Sequence, residues 1–194
     1  MLCPILRRLS AMLVLRRVAE YLELDRQMQQ PAFFMLFMDN DQYFGNYELL
    51  EEPKVTFLAA NDTPEELWPR VERWLESEIY GTDKVVLSYF ESPFEKRVLQ
   101  LLLERNHPRI LFTYPSTNRD SFRELNVSRT NPNSLVLSYR PASHHWPSVQ
   151  LDRLRMAVVN ISDEFISIGT TADSNLLTIL DLYRQSPKKP HRML

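Results

Sequence analysis

The segment VVLSYFESPFEKRVLQLLL, residues 85–103, contains the local signals that decide the fold. Residues 84–89 form a short apolar run, rich in valine, which predicts a strand buried on both faces. Residues 92–95 (Ser-Pro-Phe-Glu) form a capping box with proline at the first helical position. Apolar residues then recur at helical spacing. The segment therefore predicts a strand, a tight turn and a helix, and the turn between Ser88 and Glu95 is either a ligand site or only a well-capped helix start.

A second unit of the same kind precedes the first by about one βαβ length, roughly 30 residues. Residues 54–60 (KVTFLAA) predict a strand, residues 63–66 (Thr-Pro-Glu-Glu) a second capping box, and residues 67–79 a helix. Further strands are predicted at 109–114, 134–139 and 164–169, and further helices at 151–161 and 172–183. This alternation predicts a parallel sheet that is covered by helices on both faces.

The composition is typical of one globular domain. The chain has 194 residues, of which 44% are hydrophobic, and this is enough for a sizeable core. A single cysteine, Cys3, excludes a disulfide framework and a cysteine metal cluster, and it favours the reducing cytoplasm. No segment approaches the roughly 18 apolar residues of a membrane span.

The net charge of −2 hides an uneven distribution. Residues 31–104 carry 15 acidic and 6 basic side chains, whereas residues 105–155 carry eight arginines against three acids. A basic stretch of this kind indicates either an anion or nucleic-acid surface, or a solvated surface that is neutralised by the acidic half.

Residues 1–37 differ from the rest of the chain and are predicted to be a dispensable helical extension. Residues 1–19 contain four arginines and no acidic residue, a composition that also resembles an amphipathic targeting segment. The predicted domain covers residues 43–190.

Three stretches of this domain, in order and spacing, resemble a known family. They are GNYELLEEPKVTFLAANDTP (45–64), VVLSYFESPFEKRVLQLLLERNHPRILF (85–112) and LDRLRMAVVNISDEFISIGTTADSNLL (151–177). The chain thus resembles the DprA/Smf-like DNA-processing proteins, in particular their short, single-domain, Rossmann-like bacterial versions. The resemblance implies DNA binding of the kind that, in this family, helps to load recombinase during transformation.

The ligand motifs depart from the family pattern. Tyr89 stands where the family has glycine after the strand serine, and Glu91 adds a negative charge two residues later. The family's Arg-Arg-Asn-Arg patch is reduced to Arg153-Leu-Arg155-Met. The whole chain has only three glycines, although a phosphate cradle relies on glycine to expose backbone N–H groups. A ring at Tyr89 is expected to cover such a cradle, so the site is predicted to be degenerate.

The predicted architecture is a three-layer α/β Rossmann-like sheet of about five strands. Their predicted order, typical of a fold of this kind, is 3-2-1-4-5, with the ligand crevice at the carboxyl ends of the strands, where the order reverses. Polar residues that follow the strand ends are then expected around one opening. These candidate ligand-binding residues are Asn61, Asp62, Thr63, Ser92, Arg140, Gly169, Thr170, Thr171 and Ser174. Arg140, Arg153 and Arg155 are the candidate phosphate contacts of a nucleic acid.

The function predicted from the sequence is non-catalytic binding of a nucleotide or single-stranded DNA. No P-loop and no Gly-x-Ser-x-Gly elbow is present. No cofactor or metal is expected, because the adjacent His144 and His145 lack a placed carboxylate. Two alternatives stay open: a nucleotide-processing hydrolase of the related Rossmann-like superfamily, and an interaction module that forms a homodimer.

Overall fold

The computed structural model describes residues 43–113, 131–138, 161–169 and 190–194, together with residues 155, 158–159, 176–177 and 179–181. Within this part of the chain, seven strands form one sheet. The strands are β1 (Tyr43–Gly45), β2 (Lys54–Ala59), β3 (Val85–Ser88), β4 (Arg109–Thr113), β5 (Ser134–Ser138), β6 (Glu164–Ile168) and β7 (His191–Met193). The α/β class and the parallel sheet that the sequence predicts are confirmed.

The order of the strands is β1-β5-β4-β3-β2-β6-β7, and all pairs are parallel except β1 with β5. In the numbering of the predicted five strands this order is 4-3-2-1-5, so the expected 3-2-1-4-5 is wrong. The strand at 134 pairs with β4 instead of β2, and β6 takes the place beside β2. Strands buried on both faces are equivalent as neighbours, so their apolar pattern does not encode the order. The reversal of strand order, and with it the expected crevice, lies between β2 and β6.

Both ends of the sheet carry short strands that the sequence pattern does not predict. β1 runs antiparallel to β5, and a Cβ at Gly45 (φ +115°) would lie 2.2 Å from the carbonyl oxygen of Ser134. Asn46 then caps a 3-10 turn, Tyr47–Leu50, and its side-chain amide donates to the Pro132 carbonyl. β7 lies beyond residue 190, so the sheet extends past the predicted end of the domain.

Helices cover both faces of the sheet. Helix α1 (Trp68–Trp74) continues as a π-helical segment, Leu75–Ile79, and helix α2 (Pro93–Glu104) lies on the same face. The predicted capping box at residues 63–66 is wrong: α1 is preceded by a 3-10 turn, Glu65–Leu67, whose N-cap makes no side-chain bond. The opposite face is covered by Val158 and Val159 and, after β6, by residues such as Ile179, all in helical conformation.

The predicted extension, residues 1–37, lies outside the described residues and stays a prediction. Among the helices of the described part of the chain, none has the length and apolar character that would let it cross a membrane.

Candidate functional site

The turn that follows β3 is held by its own backbone and by the core. The Phe90 N–H donates to Ser88 Oγ at 3.3 Å, and Phe90 adopts a left-handed conformation with φ of 54°. This conformation is costly for a residue with a Cβ, and the buried Phe90 ring anchors it. The sequence led us to expect the Tyr89 ring over the turn. Instead, this ring packs against Phe112, and the two ring centroids are 5.7 Å apart. The residue with the backbone conformation that glycine favours is thus Phe90, one position later than expected.

The predicted capping box at the start of α2 is present. Ser92 Oγ accepts from the Glu95 N–H at 3.2 Å, and the Glu95 carboxylate accepts from the Ser92 N–H at 3.3 Å. Ser92 is 2% exposed. Ser92 in this turn therefore stabilises the start of α2.

Glu95 does more than close the capping box. Its Oε1 accepts from the N–H of Ala59, at the end of β2, at 2.9 Å, and its Oε2 also accepts from the Glu91 N–H at 2.8 Å. Three backbone N–H groups from a strand end and a helix start thus converge on one carboxylate. This is the donor pattern that an anion would meet at such a corner, and here the protein places its own carboxyl group against it.

The environment of Glu95 opposes its negative charge. The residue is 5% exposed, and this burial raises the pKa of its carboxyl group from 4.5 to about 7. The bonds from Ala59, Glu91 and Ser92 lower the pKa, and so does the nearby Arg155 guanidinium, but these effects are smaller than that of burial. Glu95 is therefore a buried group that titrates close to neutral pH.

A shallow depression lies beside this corner, between the ends of β2 and the helical residues after β6. It contains about 250 Å³ of empty space, including the open solvent above it. Its lining residues are Leu58, Ala59, Asn61, Ser92, Glu95, Arg155, Leu176 and Ile179. The depression lies at the carboxyl ends of the strands near the reversal of strand order, where ligands bind in open α/β sheets.

Arg155 supplies the positive charge of the depression and is already engaged. Its side chain is 15% exposed, and its Nη2 lies 3.0 Å from Oε2 of Glu91, whose side chain is 35% exposed. The two residues are 64 positions apart. The candidate phosphate contact therefore makes an ion pair with the same turn that precedes α2.

The turn after β2 and the residue after β6 fit together closely. The Thr63 hydroxyl donates to the Ala60 carbonyl at 2.7 Å, and the Ala60 N–H donates to the Ile168 carbonyl at 3.1 Å. Gly169 has φ of +67°, and a Cβ there would lie 2.2 Å from Thr63 Oγ1. The space that glycine leaves open is thus filled by Thr63 and is not available to a phosphate.

The structure brings some of the predicted site residues together. Asn61, Ser92 and Arg155 line one depression. Asp62 is exposed in the adjacent turn, where Thr63 and Gly169 pack against each other. The remaining candidates, Arg140, Arg153, Thr170, Thr171 and Ser174, lie outside the described residues. Because β5 is separated from β2 by two strands, its carboxyl end is about 14 Å from that of β2. The reason for expecting Arg140 at this opening therefore no longer holds.

Two arginines of the basic stretch have structural roles at the other end of the sheet. Arg109 is fully buried, its Nη1 donates to the His107 carbonyl at 2.9 Å, and burial lowers the pKa of its guanidinium to about 10. Arg105 stacks over Tyr80 at 3.9 Å and pairs with Glu76. These residues cannot contribute to an anion surface at the depression.

The architecture is similar to that of two solved proteins. One is DNA processing protein A of Helicobacter pylori, described for a unique mode of single-stranded DNA binding; the TM-score is 0.53 at 18% identity, over 78% of this chain and 69% of that one. The chain has the fold of DNA processing protein A. The protein of that name from Streptococcus pneumoniae gives a TM-score of 0.50 at 14% identity, over 94% of this chain and 89% of that one.

The comparison confirms, at the level of fold, the resemblance seen in the sequence. No protein-family model matches the chain, and no curated protein matches its sequence. Among the described residues, no group of three or more histidine, cysteine or acidic side chains is placed to hold a metal ion.

The sequence does not reveal the long-range partners of the two carboxylates that shape this site. The capping pattern predicts the local role of Glu95 but not its bond to Ala59, 36 positions away. The charge of Glu91 is visible in the sequence, whereas its pairing with Arg155 depends on the tertiary structure.

Proposed function

We propose that the protein binds a nucleotide or single-stranded DNA without catalysis, through a DprA-like site that has become degenerate. The observation that carries the proposal is the position of Arg155: its guanidinium lines the depression at the carboxyl ends of the strands, beside the start of α2. Arginine binds phosphate in a planar, two-bond geometry, and a helix start favours anions through its dipole. A solved protein of the same fold, from Helicobacter pylori, is described as binding single-stranded DNA.

Degeneracy of the site is supported by what already fills it. The Glu95 carboxyl group accepts from three backbone N–H groups, and Glu91 forms an ion pair with Arg155. The Thr63 side chain fills the space beside Gly169. A phosphate would have to displace at least one of these groups, so weak binding is expected.

The hydrolase alternative is less well supported by this geometry. Small-molecule sites commonly enclose about 300–1,000 Å³, whereas this depression offers about 250 Å³ including open solvent. Glu95 is the acidic residue that lines the depression, and its carboxyl group has a pKa near neutral. Its oxygens accept from three backbone N–H groups, so they are not directed at a substrate. Release of a nucleobase from nucleoside monophosphates would nevertheless establish the hydrolase.

The proposal includes a cytoplasmic location, which the single cysteine favours, and leaves a homodimer as a further expectation from the sequence. The dimer is tested by the mass of the protein in size-exclusion chromatography with light scattering.

The proposal is tested by fluorescence anisotropy of a labelled single-stranded oligonucleotide over a series of salt concentrations. Each phosphate contact contributes roughly −0.7 to the slope of log affinity against log salt. Arg155→Gln should weaken binding and make the slope shallower by about 0.7, without a preference for any base. The matched control is Arg97→Gln, because Arg97 also pairs with a glutamate, Glu65, but does not line the depression. Absence of binding at high micromolar protein would refute the nucleic-acid part of the proposal.

A further inference from the structure

The ion pair with Glu91 engages the guanidinium of Arg155, the group that the proposed function assigns to a ligand phosphate. Arg155 lines the depression and is largely buried, so few directions are open to its guanidinium. Oε2 of Glu91 accepts a hydrogen bond from Nη2 of that guanidinium at 3.0 Å. The candidate phosphate contact therefore already pairs with a negative group of the protein itself.

The backbone of Glu91 is fixed on both sides. Its N–H donates to Glu95 at 2.8 Å, the preceding Phe90 is anchored by a buried ring, and the following Ser92 is the N-cap of α2. The side chain can rotate away from Arg155, but its carboxylate stays tethered to this backbone, next to Ser92, which lines the depression. A group tethered in this way has a high effective concentration and competes with any ligand from solution.

We propose that Glu91 acts as an internal competitor for phosphate at Arg155 and thereby sets the affinity of the site. The inference rests on the proposed function. A carboxylate and a phosphate offer the same arrangement of acceptor oxygens to a guanidinium, so occupation by one excludes the other. A phosphate bound at Arg155 also lies beside the displaced carboxylate and is repelled by it. The residue therefore determines affinity for phosphate groups without contacting them in the complex.

The test is Glu91→Gln, which keeps the size of the side chain and removes its charge. The full chain is titrated against a labelled single-stranded oligothymidine at about 0.1 M salt, where interactions beyond roughly 10 Å are screened. The matched control is Glu65→Gln: it makes the same change in net charge, and Glu65 follows β2 as Glu91 follows β3, but Glu65 pairs with Arg97 outside the depression. Both changes are repeated in an Arg155→Gln background, and thermal unfolding confirms that each variant is folded.

Glu91→Gln should lower the dissociation constant for the oligonucleotide about twofold to fivefold. This is the factor that corresponds to the free energy of a partly exposed ion pair. Glu65→Gln should change the affinity by less. In the Arg155→Gln background the two substitutions should become equivalent, because the guanidinium for which Glu91 competes is gone.

The possible results separate this inference from the proposed function. If the wild-type protein binds through Arg155 but Glu91→Gln tightens binding no more than Glu65→Gln does, the competitor is refuted and the proposed function stands. If Glu91→Gln binds and the wild-type protein does not, the competitor is supported, and the nucleic-acid part of the proposed function is refuted for the wild-type protein. If neither binds the strand at high micromolar concentration, both are refuted.

Discussion

Glu95 offers the sharpest test of how this corner is held together. Its two carboxylate oxygens accept from three backbone N–H groups, those of Ala59, Glu91 and Ser92. Glu95→Gln keeps the shape of the side chain but replaces one acceptor oxygen by an NH2 group. At least one buried N–H then faces a donor, and an unsatisfied buried donor costs about 1–3 kcal/mol. Above about pH 7, where the wild-type carboxyl group is ionised and both of its oxygens accept, we expect the free energy of unfolding to fall by about this amount.

The same substitution removes a titratable carboxyl group, so its effect on the free energy of unfolding depends on pH. Burial raises the pKa of the Glu95 carboxyl group from 4.5 to about 7 in the folded protein. Between these two pH values the folded state holds a proton that the unfolded state has released, so stability falls as pH rises. This contribution is complete below about pH 4.5 and lost above about pH 7. It amounts to about 3 kcal/mol at most, because each pKa unit corresponds to about 1.4 kcal/mol.

Glutamine has no such proton, so Glu95→Gln should be more destabilising at pH 5 than at pH 8, by about 2–3 kcal/mol. Urea unfolding, followed by tryptophan fluorescence at pH 5, 6, 7 and 8, measures the difference. Glu104→Gln is the control, because Glu104 is an exposed carboxylate at the other end of α2. If the wild-type protein instead gains stability relative to Glu95→Gln as pH rises, the three N–H bonds outweigh burial, and the reasoning is refuted.

Substitutions at two further positions, Gly169 and Ser92, test the packing around the depression, and chemical unfolding measures each of them. Gly169→Ala should destabilise the fold by about 2 kcal/mol or more, because φ of +67° is unfavourable with a Cβ and that atom would meet Thr63; adding Thr63→Ala should restore part of the loss, and a neutral Gly169→Ala would contradict the close approach. Ser92→Ala should cost about 0.5–2 kcal/mol through loss of the cap, whereas Ser92→Asp should cost more, since it adds a second carboxylate to the corner buried with Glu95. An aspartate variant as stable as wild type would show that the corner is more open than its exposure indicates.

The sequence by itself determined the local elements from which the fold is built. Residues 92–95 encode the capping box and the start of α2 because all the groups involved lie within one helical turn. Mostly apolar runs such as residues 54–59 encode buried parallel strands, since apolar side chains on both faces suit a strand that is covered on both sides. From these signals the α/β class and the place of the corner follow, while the order and spacing of three longer stretches carry the resemblance to the DprA/Smf-like proteins.

Only the tertiary structure decided which elements are neighbours. β5 lies beyond β4, and β6 lies beside β2, because strands buried on both faces can pair in several orders and long connections permit all of them. β1 and β7 have three residues each, so their strand conformation depends on the partner that supplies the hydrogen bonds. The electrostatics of the site have the same origin: Glu95 meets Ala59 across 36 positions and Glu91 meets Arg155 across 64, and no local pattern encodes contacts at such separations.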